Sequence, residues 1–155
     1  MTEQDYQLLS EQLAALVHDV PHLTANLANA SALIFGTLED VNWVGFYLLK
    51  GDILVLGPFQ GKPACIELKP GHGVCSAAVE RDETMSVPNV LDFPGHIACD
   101  AASRSELVVP LHGRSGSVVG VLDIDSAREG RFSETDRLGL ERMARTLERE
   151  LEAQL

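Results

Sequence analysis

The side chains with the most obvious chemistry are three cysteines, Cys65, Cys75 and Cys99. Cys75 follows Cys65 by ten residues, and Cys99 lies 24 further on. A thiolate is both a nucleophile and a metal ligand, and its sulfenic acid is trapped by a second thiol as a disulfide. Three uses fit this pattern. One is redox chemistry, with an attacking thiol in a loop and a resolving thiol close by. Another is zinc, with His72 or His96 joining the cysteines, although structural zinc sites usually pair ligands at CxxC spacing and no such pair is present. The third is packing, because a free cysteine behaves as a small apolar residue. Cys65 and Cys75 flank the turn Lys69-Pro70-Gly71-His72-Gly73, while Cys99 sits among breakers and polar residues in FPGHIACDAASRSE.

Carboxylates are the second group. In residues 117–125 alternation puts Val119, Val121, Asp123 and Asp125 on one face and Val118, Gly120, Leu122 and Ile124 on the other. Aspartate is depleted in strands, so two on one face suggest a polar pocket at that strand end. The alternative is that they mark where the strand meets solvent. Glu106 opens the neighbouring strand and could point into the same region. Clustered carboxylates bind a cation such as an ammonium. They also raise one another's pKa, so that one can hold and donate a proton near neutral pH.

Aromatic residues are the third. Trp43, Gly45 and Tyr47 share one face of an apolar strand, and Trp43 is the only tryptophan. They read either as core or as a pocket wall for a small apolar group, with Gly45 leaving it room. The stretch GHGVCS before a short helix could offer backbone N–H groups to an anion.

These residues need elements to hold them. Leu9, Leu13, Leu16 and Val17 recur at helical spacing. Pro21 starts a second helix, with Leu23, Leu27, Ala30, Ile34 and Leu38 as its stripe. Residues 41–49 and 53–59 flank the turn Lys50-Gly51-Asp52 as a β-hairpin. Residues 65–68 read as a short strand, 74–81 as a short helix and 84–104 as irregular, with Pro88, Pro94 and Gly95 as breakers. Residues 107–111 and 117–125 form two more strands. Ser133, with Asp136 three residues on, opens a last helix whose stripe is Leu140, Met143, Leu147 and Leu151. Helices, hairpins and a helix describe an α+β protein with an antiparallel sheet.

The whole chain sets the context. Its 155 residues suit one domain, 1–155. With 12 Lys+Arg against 23 Asp+Glu the net charge is −11, which argues against nucleic acid and anionic membrane as partners. No apolar run reaches the length of a membrane span. MTEQDYQLLSEQ lacks the marks of a signal peptide, so a cytoplasmic location is expected, where thiols stay reduced.

The segments ANLANASALIF, NWVGFYLL, LVLGPFQGKPAC, GHGVC, PGHIACDAASRSELVVPL and GVLDIDS resemble the free methionine-(R)-sulfoxide reductases, a GAF-domain enzyme family. They span residues 25–126 almost without a gap, and residues 1–20 match least. The resemblance implies a single GAF-like domain with the terminal helices on one sheet face and the active-site loops on the other. It implies reduction of free L-methionine (R)-S-oxide through a cysteine sulfenic acid and a disulfide recycled by thioredoxin. No bound cofactor or metal is expected, NADPH serves through thioredoxin reductase, and a homodimer is expected. By this resemblance Cys99 attacks, Cys65 resolves and Cys75 is a third thiol able to join disulfide exchange. Glu106, Asp123 and Asp125 form the acidic site, Glu106 or Asp123 meets the sulfoxide oxygen, and Trp43 and Tyr47 enclose the substrate methyl. Two departures, Ser76 for glycine and His72 for a basic residue, bear on contacts to the substrate carboxylate. A non-catalytic GAF sensor of a small molecule is the alternative.

Overall fold

The computed structural model describes residues 1–97 and 99–155. Helix α1, Glu3–Val17, is opened by a capping box in which Thr2 and Asp5 satisfy each other's backbone N–H groups. It buries Tyr6, Leu9, Leu13 and Val17. Leu16, placed on this stripe by the spacing, is exposed, because the stripe runs 6, 9, 13, 17 and Leu16 falls one position off it. Helix α2, Leu23–Thr37, begins two residues after Pro21 rather than at it, with His22 as a cap that makes no side-chain bond.

Strands β1 (Trp43–Lys50) and β2 (Ile53–Gly61) form the expected hairpin. β3 is only Glu67–Leu68, so Cys65 precedes it instead of starting it. Helix α3, Gly73–Arg81, follows. The segment read as irregular contains an edge strand, β4 (Met85–Val87), and a 3₁₀ turn at Val90–Asp92. Three residues ended by Pro88 are too short to show alternation, and β4 exists because β5 supplies its partner. β5 is Ser105–His112, β6 is Val118–Ser126 and α4 is Glu134–Glu150.

The sheet order is β3-β2-β1-β6-β5-β4, and every pairing is antiparallel. One face carries Val44, Phe46, Leu107, Val109, Leu122 and Ile124, packed under α1, α2 and α4. The other carries Trp43, Tyr47, Val108 and Val121, covered by α3 with Cys75 and Ala78. Val119, expected on this second face, packs against the helical core instead. A register shift opposite residues 111 and 112 adds a residue to β6, and alternation restarts after it.

The helical layer is tied together below the sheet. Ser133 caps α4 with Asp136 in the reciprocal arrangement its sequence suggests, and Leu140, Met143, Leu147 and Leu151 are fully buried. Asp136 also accepts from the Tyr6 hydroxyl at 2.7 Å and pairs with Arg131 at 3.0 Å, joining α1 to α4. Tyr6 lies directly on the α4 backbone at Gly139, where a Cβ would enter its ring. No described helix is long and apolar enough to cross a membrane.

Candidate functional site

The two central strands and β5 bring the acidic residues together. Trp43 and Gly45 stand opposite Asp125 and Asp123, and Glu106 stands opposite Asp125. Because Leu122 and Ile124 face the helices, Asp123 must face the other way. Glu106 is 7% and Asp123 5% exposed, while Asp125 is partly open at the strand end. All three line one cavity of about 60 Å³ with Trp43, Tyr47, Cys75 and Cys99.

Burial sets the protonation of this cluster. It pushes Glu106 well above the usual carboxylate range, and the charges of Asp123 and Asp125 push it further. Burial raises Asp123 only to about 6, because hydrogen bonds with Glu106 and Cys75 favour its ionised form. Asp125 is also raised, by burial and by Asp123 and Asp100. The surroundings therefore favour the charge on Asp123 and the proton on Glu106. Oδ1 of Asp123 is buried without a hydrogen-bond partner.

The cysteines divide two and one. Cys65 and Cys99 form a disulfide across 34 positions of chain, with Cα atoms 5.5 Å apart. Cys75 is a free buried thiol whose Sγ lies 3.8 Å from Glu106 Oε1. Burial, Asp123 and Glu106 hold its pKa well up, so it stays a thiol. A zinc site built on all three cysteines with His72 or His96 is not assembled, since two of the sulfurs are bonded to each other.

The aromatic walls do more than line space. The Tyr47 hydroxyl donates to the carbonyl of Cys65 at 2.8 Å, and Trp43 Nε1 donates to the carbonyl of Lys62 at 3.1 Å. They hold the segment carrying Cys65 against β1. Gly45 does not leave room for a ligand: the Trp43 ring folds over it and stacks on Phe59, with centroids 5.2 Å apart. No sequence pattern announces these two bonds, because their acceptors are backbone carbonyls in a loop.

A GAF-domain family profile matches residues 23–152. The chain is 49% identical over 146 residues to the free methionine-R-sulfoxide reductase of Escherichia coli, covering 94% of this chain and 88% of that protein. The reduced form of fRMsr of Staphylococcus aureus superposes with a TM-score of 0.90 at 47% identity, covering 94% of each chain. Free methionine-R-sulfoxide reductase from Neisseria meningitidis, in complex with its substrate, gives 0.90 at 43% identity, covering 96% of this chain and 89% of that one.

The chain belongs to the free methionine-(R)-sulfoxide reductase family of GAF domains.

As a member of the free methionine-(R)-sulfoxide reductase family, the chain pins its Cys99 loop with residues that the sequence reading passed over. Asn42 Nδ2 donates to Asp100 Oδ2 at 3.1 Å and to Ser103 Oγ at 3.2 Å. Asp100 Oδ1 accepts from Ala102 N–H at 2.9 Å, and Arg104 N–H reaches the Ser126 carbonyl at 2.7 Å. An aspartate accepting from the residue two ahead is a recognisable turn signal that was present in CDAAS. The two departures of this reductase from its family pattern also find places. Ser76 accepts from Gly71 N–H at 2.8 Å and donates to Glu80 at 3.1 Å, bracing the turn on the side away from the cavity. His72 caps α3 without a side-chain bond, and it lines the cavity beside Gly73 and Val74, as His96 does nearby. The first turn of α3 therefore presents its N–H end to the site.

Proposed function

We propose that this protein reduces free L-methionine (R)-S-oxide to L-methionine, using Cys99 as nucleophile and Cys65 as resolving thiol. The observation that carries this is the Cys65–Cys99 disulfide, whose Cys99 lines a cavity walled by Glu106, Asp123, Trp43 and Tyr47. A free amino acid offers an ammonium, a carboxylate, a polar sulfoxide and a methyl, and the cavity has a partner for each. Asp123, together with Asp125 beside it, takes the ammonium. The first-turn N–H groups of α3 take the carboxylate. Trp43 and Tyr47 enclose the methyl. Glu106, whose burial and charged neighbours favour its protonated form, meets the sulfoxide oxygen.

The Cys99 thiolate attacks the sulfoxide sulfur while Glu106 protonates the oxygen. The oxygen passes to Cys99 as a sulfenic acid and methionine leaves, reduced by two electrons. The Cys65 thiol attacks the sulfenic acid, releasing water and forming the disulfide. Thioredoxin, kept reduced by NADPH through its reductase, returns both thiols by exchange. The surrounding carboxylates disfavour a free Cys99 thiolate, so its activation belongs to the complex in which the substrate's positive charge is present. The protein acts in the cytoplasm as a homodimer in this reading.

Supply of thioredoxin, thioredoxin reductase and NADPH to separated R and S epimers, free and peptide-bound, tests this. Methionine is expected from the free R epimer alone. In single turnover Cys99→Ser yields no methionine, whereas Cys65→Ser gives one equivalent and then stalls. A stoichiometric burst from Cys99→Ser would overturn the assignment.

A further inference from the structure

The reaction leaves Cys75 without a step. Its Sγ, a carboxylate oxygen of Glu106 and one of Asp123 all lie within 4.8 Å of one another, and all three residues are buried. Zinc bound tetrahedrally at about 2.3 Å from sulfur and about 2.0–2.2 Å from oxygen holds its ligands at nearly this spacing. Small rotations of three side chains would close the set. A second observation points the same way: Asp123 Oδ1 is buried with no hydrogen-bond partner. Among the described residues no lysine or arginine lines this cavity, so no permanently charged side chain in its wall balances the carboxylates. Asp125 stands beside Asp123 on the same strand face and could complete the coordination.

We propose that Cys75, Glu106 and Asp123 form a binding site for Zn²⁺, and that filling it blocks the enzyme reversibly by displacing the amino-acid substrate. Binding releases the protons of the Cys75 thiol and the Glu106 carboxyl. It sets three anionic ligands around a doubly charged ion. The thiolate selects zinc over magnesium or calcium, which prefer all-oxygen cages. The site needs neither Cys65 nor Cys99, so it persists when their disulfide is closed. The metal claims Asp123, which takes the substrate ammonium, and Glu106, which meets the sulfoxide oxygen, so the inhibition is competitive. That last part rests on the functional reading above, whereas the metal site stands on its own geometry.

Cobalt(II) serves as a coloured stand-in for zinc. Titrated into the full chain with the disulfide closed, it should give a sulfur-to-cobalt charge-transfer band saturating at one equivalent, bleached by added Zn²⁺. The band should survive in the Cys65→Ser/Cys99→Ser double variant and vanish in Cys75→Ser. Absence of the band in the native chain, its survival in Cys75→Ser or its loss in the double variant would overturn the site. Should Cys75→Ser fail to fold, Asp123→Asn decides. Folding as judged by circular dichroism with cobalt affinity at least tenfold weaker supports the site, and unchanged affinity removes it. Zinc should raise KM for the sulfoxide and leave kcat alone, and a fall in kcat with constant KM would overturn the competition. Cobalt binding without sulfoxide reduction would sink the function and keep the site, while activity without the band would do the reverse.

Discussion

At the scale of single residues, the cavity gives neighbouring carboxyl groups different surroundings. Glu106 and Asp123 differ in how their charges are answered: Asp123 accepts hydrogen bonds and Glu106 faces two other carboxylates. On the proposed mechanism one serves as the anion and the other as the acid. Tyr47 illustrates a second economy. Its ring walls the cavity, and burial with the nearby carboxylates keeps its phenol protonated, so it remains the donor to Cys65. Tyr47→Phe preserves the wall and removes the bond, a loss of about 1 kcal/mol. Single-turnover methionine release should change little, while disulfide closure slows about fivefold, as read by quenched-flow alkylation of free thiols. Equal slowing of both steps would place Tyr47 at the sulfoxide instead. The acids and aromatics were legible because strand alternation puts them on one face. The Tyr47–Cys65 and Asn42–Asp100 bonds were not, because both join segments whose proximity only the tertiary fold creates.

At the scale of elements, local signals and packing explain different parts of the fold. The caps at Thr2 and Ser133 and the turn after Lys50 are local chemistry, and the structure carries each of them. The edge strand β4 and the redirected Val119 are products of the partner strand and of the bulge in β6, which no window of sequence contains. Two helical glycines show how packing decides sign. Gly36, near the end of α2, has open space where a Cβ would go. Gly36→Ala should stabilise by about 0.5–1 kcal/mol through reduced backbone freedom. Gly139→Ala gains the same propensity but drives a methyl into Tyr6, and overpacking of this kind costs about 1–3 kcal/mol. Urea unfolding should move the two midpoints in opposite directions. A stabilised Gly139→Ala would show that α1 can slide off α4 without loss.

At the scale of the whole molecule, stability should depend on pH and on redox state. Asp123 has a folded pKa raised from 3.8 to about 6. Its contribution is full below 3.8 and lost as pH climbs to about 6. His112 bridges the two sides of the sheet, with Nδ1–H to Glu148 at 2.8 Å and Nε2–H to Asp82 at 2.6 Å. Burial opposes its charge, but those hydrogen bonds win and raise its pKa. Its contribution is full below 6.5 and lost as pH rises through the folded value. Asp136 runs the other way. Burial opposes its charge too, yet Ser133, Tyr6 and Arg131 lower its pKa, so its contribution is present above 3.8 and lost in stronger acid. The Tm should therefore peak at about pH 4–5 and fall toward pH 8, as the net charge of −11 adds self-repulsion. Asp123→Asn should flatten the slope below pH 6, and His112→Gln the slope above 6.5. A Tm that rises from pH 5 to 8 would contradict this account. Closing a loop of 34 positions constrains the unfolded chain by about 4 kcal/mol. Scanning calorimetry should place the oxidised form about 10 °C above the reduced one.

Cys99 of the same disulfide lines a cavity of about 60 Å³, a volume for a few waters. On the proposed mechanism, the bond that records one turnover also withholds the Cys99 thiolate from the next. On that mechanism sulfoxide and reductant react with different forms of the enzyme, each with the form that the other has left behind. Kinetically that is a turnstile: double-reciprocal plots against sulfoxide at several thioredoxin concentrations should be parallel. Excess sulfoxide should not be turned over by the oxidised form, because its Cys99 sulfur is already bonded to Cys65.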